Sequence, residues 1–366
     1  MKWFKPKLNF NFGFDWSLFF VPLLLAIFGI VIIFSITYGS QTTIARDQIV
    51  FTIIGFMVAI VLSFFDYRNF KGLYLILYGL GIFLLILVLF LGSKSFGATR
   101  WINLYIFQLQ PSEVFKLILV VFLAKLFSDW QNDFDWKKLG MIVGAIGLPL
   151  VLILIQPDLG TTSVVFVVTL VLLFASSMKK IYLVIGLAVM VVLSPIAFHY
   201  LKPYQKHRIE VFVNPASDPH GAGYNVSQAK IAIGSGGLVG TGLGKGSQSQ
   251  LNFLPVAHTD FIFAGTAEAT GFIGSLSLFL LLIILMIRVV NVAKIAKDDF
   301  GMFLALGFGA MFLFQMLVNI GMNLGIMPVT GIPLPFVSYG GSAMLTNMVA
   351  IGILQSIYMR HKKINF

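Results

Sequence analysis

The chain has 366 residues, of which 58% are hydrophobic and only 11% are charged. Soluble globular proteins carry roughly 25% charged residues, so the composition excludes a water-soluble enzyme and predicts a membrane protein. The formal net charge is +11, which in a soluble chain would suggest nucleic acid binding. The sequence has no cysteine, which excludes disulfides, iron–sulfur clusters, thiolate zinc sites and cysteine nucleophiles.

Apolar runs long enough to cross the hydrocarbon core, roughly 20 residues each, recur ten times along the chain. They predict an all-α polytopic membrane protein with about ten transmembrane helices, folded as a single domain over residues 1–366. The first run is too long for a signal-peptide core, so we interpret it as an uncleaved span. In chain order, the predicted spans are residues 16–37, 47–65, 71–92, 112–128, 137–155, 160–178, 181–200, 261–287, 300–323 and 336–358.

The basic residues predict how these spans are oriented, because cytoplasmic loops carry an excess of Lys and Arg. If both termini are cytoplasmic, that side receives fifteen basic residues and the outer side receives eight. We therefore predict cytoplasmic N and C termini. Most of the positive charge is then explained by topology, and we expect no nucleic acid partner.

The longest connection covers residues 201–260 approximately, lies between spans 7 and 8, and is predicted to be extracytoplasmic. Loops of this length are usually functional or disordered, and the apolar content of this one argues against disorder. It contains five of the eight outer basic residues, an amphipathic stretch at 226–233 and a glycine-rich tract at 234–246. We therefore expect the functional site to lie in this loop.

The glycine-rich tract matches neither the P-loop nor the dinucleotide-binding pattern. It is interpreted either as a close-packed turn or as a set of backbone amides that bind an anionic lipid headgroup, assisted by Lys245. The histidines have none of the spacings typical of zinc sites, so no metal site is expected.

Ionisable residues at membrane depth are costly and are treated as functional hypotheses. Glu113 and Lys116 are three residues apart on one helix face, where they can pair, either as a purely structural ion pair or in a polar pathway. Glu268 lies about 12 Å deeper than Asp260 along the same predicted helix. It either points into a polar cavity shared with Asp260 or makes an interhelical hydrogen bond without chemistry.

Asp260 directly precedes the apolar run that starts span 8, at its predicted outer end. Such a residue caps a helix N-terminus, acts as a general base whose pKa is raised by partial burial, or does both. A glycosidase needs two carboxylates, whereas a glycosyl diphosphate already has a good leaving group and needs one base plus cations on its phosphates. The sequence offers that inventory, with Asp260 as the base and with these candidate phosphate ligands: Arg208, Lys206, Lys230, Lys245 and Arg100.

Several motifs together resemble signatures of the SEDS (shape, elongation, division and sporulation) family, in fitting order from the third span to the last. They are residues 97–102, 110–113 with Lys116, 156–161, 204–208, 214–219, 221–224, 228–237, 242–246, 254–261 and 331–341. The stretch at 246–250 is more similar to the RodA branch of the family than to the FtsW branch.

The resemblance implies a ten-span peptidoglycan glycosyltransferase in the cytoplasmic membrane of a bacterium, with a role in cell elongation and shape. It would polymerise lipid II at the outer face, with a glycan on undecaprenyl diphosphate as donor and lipid II as acceptor. A class B penicillin-binding protein, the transpeptidase, would be its partner. We expect no bound cofactor and at most weak assistance from a divalent cation.

The resemblance also implies roles for individual residues. Asp260 occupies the essential position of the family's H-T-D motif, next to His258 and Thr259, which we expect to line the substrate site. The other residues that the resemblance carries over as cavity or substrate contacts are Glu113, Lys116, Asp158 and Arg208.

Two other classes of function remain open at this stage. A lipid II flippase would use Glu113, Lys116 and Glu268 as a polar pathway and would exchange lipid between leaflets without making polymer. A non-catalytic scaffold for a penicillin-binding protein would show neither activity and would tolerate replacement of Asp260.

Overall fold

A computed structural model describes residues 13–38, 42–95, 98–103, 108–131, 135–200, 203–219, 221–251 and 253–361. Within these ranges the chain is predominantly helical. The helices, in chain order, are α1 Trp16–Thr37, α2 Thr42–Phe64, α3 Phe70–Leu91, α4 Pro111–Asp129, α5 Trp136–Ile155, α6 Leu159–Ala175, α7 Lys180–Tyr200, α8 Pro203–Val213, α9 Ala222–Ser235, α10 Ser247–Gln250, α11 Ile262–Ile295, α12 Asp299–Leu324 and α13 Gly341–Met359.

Each of the ten predicted spans coincides with one of these helices. In the described part of the chain, seven helical segments are long and apolar enough to cross a membrane, namely those of α1, α2, α3, α5, α11, α12 and α13. The other three predicted spans correspond to α4, which carries Glu113 and Lys116, the 17-residue α6 and the 21-residue α7. The protein is thus a multi-pass helical membrane protein, and the predicted cytoplasmic ends at 1–12 and 362–366 lie outside the described residues.

The helices begin where short polar side chains accept backbone hydrogen bonds, as expected for N-caps. Aspartate carboxylates cap four of the long helices at Asp15, Asp135, Asp158 and Asp298. At the other end of α12, Gly325 has a φ of 73°, a left-handed conformation that favours glycine and ends the helix.

The centre of the bundle is formed by α4, α12 and α13, most of whose residues are buried. Helices α2 and α13 pack against each other, as do α11 and α12. The surrounding α3 and α5 expose apolar side chains such as Leu75, Ile76, Phe90 and Val143. In a membrane protein such outward apolar faces contact lipid, so the buried polar residues are concentrated in the centre.

A small antiparallel sheet departs from the all-α expectation. Strands β1 Ser93–Ser95, β2 Ala98–Asn103 and β3 Gln108–Leu109 lie between α3 and α4, in the order β1-β2-β3. The strands are too short to give a clear alternating pattern, which is why the sequence did not predict them. The sheet matters because β2 carries Arg100.

The predicted extracytoplasmic loop contains helices α8, α9 and α10, and the amphipathic stretch at 226–233 forms part of α9. Downstream of the loop, α11 is interrupted at Gly271, which has a φ of 66° and a ψ of −162°. A break leaves backbone groups without helical partners, and the glycine-rich tract supplies them. The bonds are Thr241 N to Glu268 O (2.9 Å), Gly242 N to Ala269 O (3.1 Å), Phe272 N to Gly237 O (2.9 Å) and Ile273 N to Leu238 O (3.1 Å).

The close packing of this tract explains its glycines. A Cβ at Gly236 or Gly240 would overlap the carbonyl oxygens of Ala267 or Ala269 in α11. Because the amides of Thr241 and Gly242 are bonded to α11, the structure supports the close-packed turn rather than a headgroup-binding set of amides.

Candidate active site

Three segments of the chain meet around Asp260. The first is the Asp260 loop, residues 253–261, which leads into α11. The second is the α12–α13 loop, residues 325–340, and the third is the start of α6 at Asp158. A Cβ on Gly160 of α6 would lie 2.9 Å from both Thr330 O and Ile332 Cγ1, so the α12–α13 loop is packed against the start of α6.

The α12–α13 loop holds the backbone of the H-T-D motif in place. Ser338 Oγ donates to Thr259 O at 2.7 Å, and Tyr339 N donates to His258 O at 2.9 Å. The ring of Tyr339 also meets the His258 ring edge-on, with the centroids 5.6 Å apart. Burial lowers the pKa of His258, so its imidazole is neutral at pH 7 and is not a phosphate-binding cation.

The Asp260 carboxylate is partly exposed but closely surrounded by protein atoms. Burial raises its pKa to about 6, against the lowering effects of Arg208, Arg100 and a hydrogen bond with Thr259, while Asp158 raises it. The side chain does not cap α11, which begins after Phe261 without a side-chain cap at that residue. The N-cap interpretation of Asp260 is therefore not supported, and the carboxylate has the pKa of a general base that works near neutral pH.

Two arginines from different elements flank this carboxylate. Arg208 of α8 donates to Val329 O at 3.1 Å, and burial together with Arg100 lowers its pKa. Arg100 of β2 donates to Gln156 O at 2.9 Å and to Pro157 O. Both guanidinium groups remain charged because arginine is effectively always protonated in proteins. They supply fixed positive charge beside the Asp260 carboxylate.

Asp158 is held firmly at the N-terminus of α6. Its Oδ1 accepts from Thr161 N at 3.0 Å. Its Oδ2 accepts from Thr161 Oγ1 at 2.9 Å, and from Gln110 Nε2 and Ser112 Oγ at 3.2 Å each. These bonds place a negative charge near Asp260 and join α6 to the start of α4, so Asp158 shapes the site electrostatically.

The predicted pairing of Glu113 and Lys116 is confirmed. Lys116 Nζ lies 2.7 Å from Glu113 Oε1, and both side chains are almost fully buried. Glu113 Oε2 is buried, and no group in the described part of the chain forms a hydrogen bond with it. The pair follows Ser112 directly and is therefore adjacent to the Asp158 cluster, while substrate contact by either residue stays a prediction.

The three candidate lysines lie on different parts of the surface. Lys206 Nζ donates to His199 O at 2.9 Å. Lys230 is exposed on α9, with its ammonium against Gly325. Lys245 is exposed at the end of the glycine-rich tract. The structure brings Arg208 and Arg100 to Asp260, whereas phosphate binding by the lysines stays a prediction.

The Glu268 carboxylate is bound by the backbone of α10. The side chain is fully buried, and its two carboxylate oxygens accept from Gln248 N at 2.7 Å and Ser249 N at 3.1 Å. Both oxygens are thus engaged by the backbone of α10, and no surface is left for a substrate. These bonds favour the second interpretation of Glu268, hydrogen bonding without chemistry, in which the carboxylate fixes α10 to α11.

Sequence reasoning missed two asparagines that contact Asp260. Asn319 and Asn323 are one helical turn apart on α12, and both donate to Asp260 O, at 3.0 and 3.1 Å. The available signal was a stripe of amide side chains at a spacing of four, Gln315, Asn319 and Asn323, in an otherwise apolar span. Polar residues inside a span are costly, so this stripe indicates a functional region in the same way as the charged residues at membrane depth.

The fold and this site define a multi-pass membrane protein with a partly exposed carboxylate beside two arginines. The profile of the FtsW/RodA/SpoVE family, described as "Cell cycle protein", matches residues 15–363. The chain therefore belongs to that family, which confirms the resemblance seen in the sequence motifs.

Individual relatives are similar over nearly their whole length. The chain is 38% identical to the peptidoglycan glycosyltransferase MrdB of Escherichia coli K12, covering 96% of this chain and 95% of MrdB. It is 35% identical to the stage V sporulation protein E of Bacillus subtilis, covering 94% and 96%. The solved RodA of Thermus thermophilus superposes with a TM-score of 0.73 at 27% identity, covering 97% and 99%.

A second solved chain is also similar. It has a TM-score of 0.84 and 31% identity, and the match covers 95% of this chain and 98% of that one. That chain comes from a study of how a peptidoglycan synthase complex coordinates polymerization and crosslinking.

Proposed function

We propose that this protein is a peptidoglycan glycosyltransferase that polymerises lipid II, with Asp260 as the general base. The observation that carries the proposal is the Asp260 carboxylate, which has a pKa of about 6 beside the guanidinium groups of Arg208 and Arg100. MrdB, a relative that matches 96% of this chain, is a peptidoglycan glycosyltransferase, which supports the same assignment. A role in cell elongation and shape follows from the similarity to MrdB and RodA.

The proposed reaction moves one proton and exchanges one bond. Asp260 takes the proton from the attacking hydroxyl of the acceptor sugar as its oxygen bonds to the anomeric carbon of the donor. The bond from that carbon to the diphosphate oxygen breaks, and undecaprenyl diphosphate leaves as an anion that needs no protonation. Arg208 and Arg100 stabilise the charge that develops on the diphosphate, with Lys206, Lys230 and Lys245 as further candidate ligands.

We propose a topology of ten spans with both termini in the cytoplasm of a bacterium. The ten helices that coincide with the predicted spans and the excess of basic residues on the cytoplasmic side support it. In this arrangement the loop at 201–260 lies outside the cytoplasmic membrane, between spans 7 and 8, where lipid II is presented for polymerisation. The reaction uses no bound cofactor, with at most weak assistance from a divalent cation.

A class B penicillin-binding protein is the proposed partner, because the glycan strands made here must be crosslinked by a transpeptidase. The solved relative from a peptidoglycan synthase complex supports this partnership. The membrane itself is the second partner, since both donor and acceptor are lipid-linked.

The decisive experiment compares Asp260→Asn with wild type in a purified polymerisation assay that contains lipid II. We expect glycan strands from wild type and a loss of about 10²–10⁴-fold in the variant, which is the usual cost of removing a general base. Glu210→Gln, at an exposed carboxylate of α8 in the same loop, is the matched control and should retain activity. Polymer made by Asp260→Asn at the rate of wild type would reject Asp260 as the general base. Leaflet exchange of lipid II by wild type without polymer would favour the flippase.

A further inference from the structure

Two buried amide side chains of α12 converge on the backbone of Asp260. Asn319 and Asn323 have no exposed surface. Asn319 Nδ2 donates to Asp260 O at 3.0 Å and to Ile332 O at 2.8 Å. Asn323 Nδ2 donates to Asp260 O at 3.1 Å and to Asn319 O at 2.8 Å. Each amide nitrogen carries two hydrogens, so the four bonds use the full donor capacity of the pair.

The bonds join the two loops that form the site. Asn319 links the Asp260 loop to the α12–α13 loop at Ile332, next to Gly331. A Cβ on Gly331 would lie 3.3 Å from Asp260 Oδ2, so this glycine borders the carboxylate itself. The amide of Asn319 therefore fixes the distance between the base and the loop that borders it.

Asn323 also takes over the capping of α11. Its Oδ1 accepts from Ala264 N at 3.0 Å, which satisfies one of the amides that the first turn of a helix leaves without partners. An aspartate just before a helix is often used for this purpose. Because Asn323 performs the capping, the Asp260 carboxylate is left to the reaction.

The arrangement has an energetic cost that packing alone does not explain. Asn319 Oδ1 is buried and has no hydrogen-bond partner among the described residues, and leaving a buried acceptor unsatisfied costs about 1–3 kcal/mol. An apolar side chain at this position of α12 would avoid that cost. What the amide provides instead is a fixed position for the Asp260 backbone.

We infer that Asn319 and Asn323 are positioning residues, which hold the Asp260 carboxylate at the site where it meets the acceptor hydroxyl. The inference rests on the proposed function and extends it to residues that do not touch the substrate. A displacement of about 1 Å at a reacting group can cost about 10²-fold in rate, so the pair acts on kcat rather than on substrate binding.

The test is the kinetics of Asn319→Leu in the lipid II polymerisation assay. We expect kcat to fall about 10²-fold, with KM changed less than about threefold, because the phosphate-binding arginines are untouched. We also expect the acidic limb of the pH–rate profile to shift to lower pH, since a loosened Asp260 gains solvent while Arg208, Arg100 and Asp158 still face it. A loss of fold alone would lower the active fraction without moving that limb.

The matched control is Asn347→Leu, at another buried asparagine, on α13. Its kcat and pH–rate profile should stay close to wild type. If Asn319→Leu fails to accumulate in membranes, Asn319→Ser replaces it, since a smaller side chain fits the same space. An unchanged kcat, an unmoved acidic limb, or an equal loss in Asn347→Leu would overturn the inference. Wild type that makes no polymer would instead reject the proposed function.

Discussion

Asp260 and Glu268 are two carboxylates only eight residues apart in the chain, yet their surroundings give them opposite roles. Both oxygens of Glu268 accept backbone hydrogen bonds from α10, and the side chain is fully buried. The backbone of Asp260 is held by Asn319 and Asn323, while its partly exposed carboxylate faces Arg208 and Arg100. Burial of a carboxylate is therefore not by itself evidence of a catalytic role. What distinguishes the two residues is whether the backbone or the carboxylate is held by the protein.

Among changes to the residues around Asp260, the largest effect is expected at Arg208, one of the two arginines beside its carboxylate. Arg208→Ala should lower kcat by about 10²-fold, the usual loss when one stabilising donor is removed from a site of this kind. Arg46→Ala, at an exposed arginine at the start of α2, is the control and should keep the rate of wild type. Equal rates for the two variants in the polymerisation assay would remove Arg208 from the site.

The pH dependence of wild type should report the Asp260 pKa. A general base acts when deprotonated, so the rate should rise with pH up to about 6 and then level off. Below that pKa the rate should drop about tenfold for each pH unit. Thermal unfolding at each pH separates titration from denaturation. A rate that stays flat across this range would contradict an Asp260 base.

A smaller effect is expected at Gly331, which has a φ of +74° and borders Asp260. In Gly331→Ala, the left-handed backbone costs about 1–2 kcal/mol, and the new methyl group would lie 3.3 Å from Asp260 Oδ2. We expect kcat to fall about tenfold, the equivalent of 1.4 kcal/mol.

Gly244→Ala is the matched control for that variant. Its φ of +69° imposes the same backbone strain, but its nearest contact is Tyr38 at 3.7 Å, in ordinary van der Waals range. It should lose stability without losing kcat. If both alanine variants keep the rate of wild type, the clearance around Asp260 Oδ2 is not important for catalysis.

The smallest effect on rate is expected at Glu268. Glu268→Gln replaces one acceptor oxygen with an amide donor that faces a backbone N–H, so one hydrogen bond is lost. The free energy of unfolding should fall by about 1–3 kcal/mol, while kcat per folded molecule changes less than about threefold. Thermal unfolding and the polymerisation assay measure the two quantities separately. A large loss of kcat at unchanged stability would restore Glu268 to the substrate site.

Much of the fold could be predicted from the sequence, because a span is a property of a continuous apolar run. All ten predicted spans fall on helices. Asp260 was identified as a candidate base because it directly precedes the apolar run that forms α11. The sheet that carries Arg100 was missed because its strands span only two to six residues. Short strands leave no periodic signal.

What the sequence left open or missed at the site has a common physical reason. The role of Glu268 was predicted from its distance to Asp260 along one helix, whereas its real partners are the amides of α10. Likewise, Asn319 and Asn323 acquire their role only because α12 packs beside the Asp260 loop. Contacts between segments that are distant in the chain cannot be read from local patterns.

The most direct measurement compares Asp260→Asn and Glu268→Gln in one preparation, with lipid II polymerisation and thermal unfolding recorded for both proteins. We predict that Asp260→Asn keeps the unfolding midpoint of wild type and makes no glycan, whereas Glu268→Gln unfolds at a lower temperature and still makes glycan. The opposite pattern, with polymer from Asp260→Asn or a folded but inactive Glu268→Gln, would contradict this prediction.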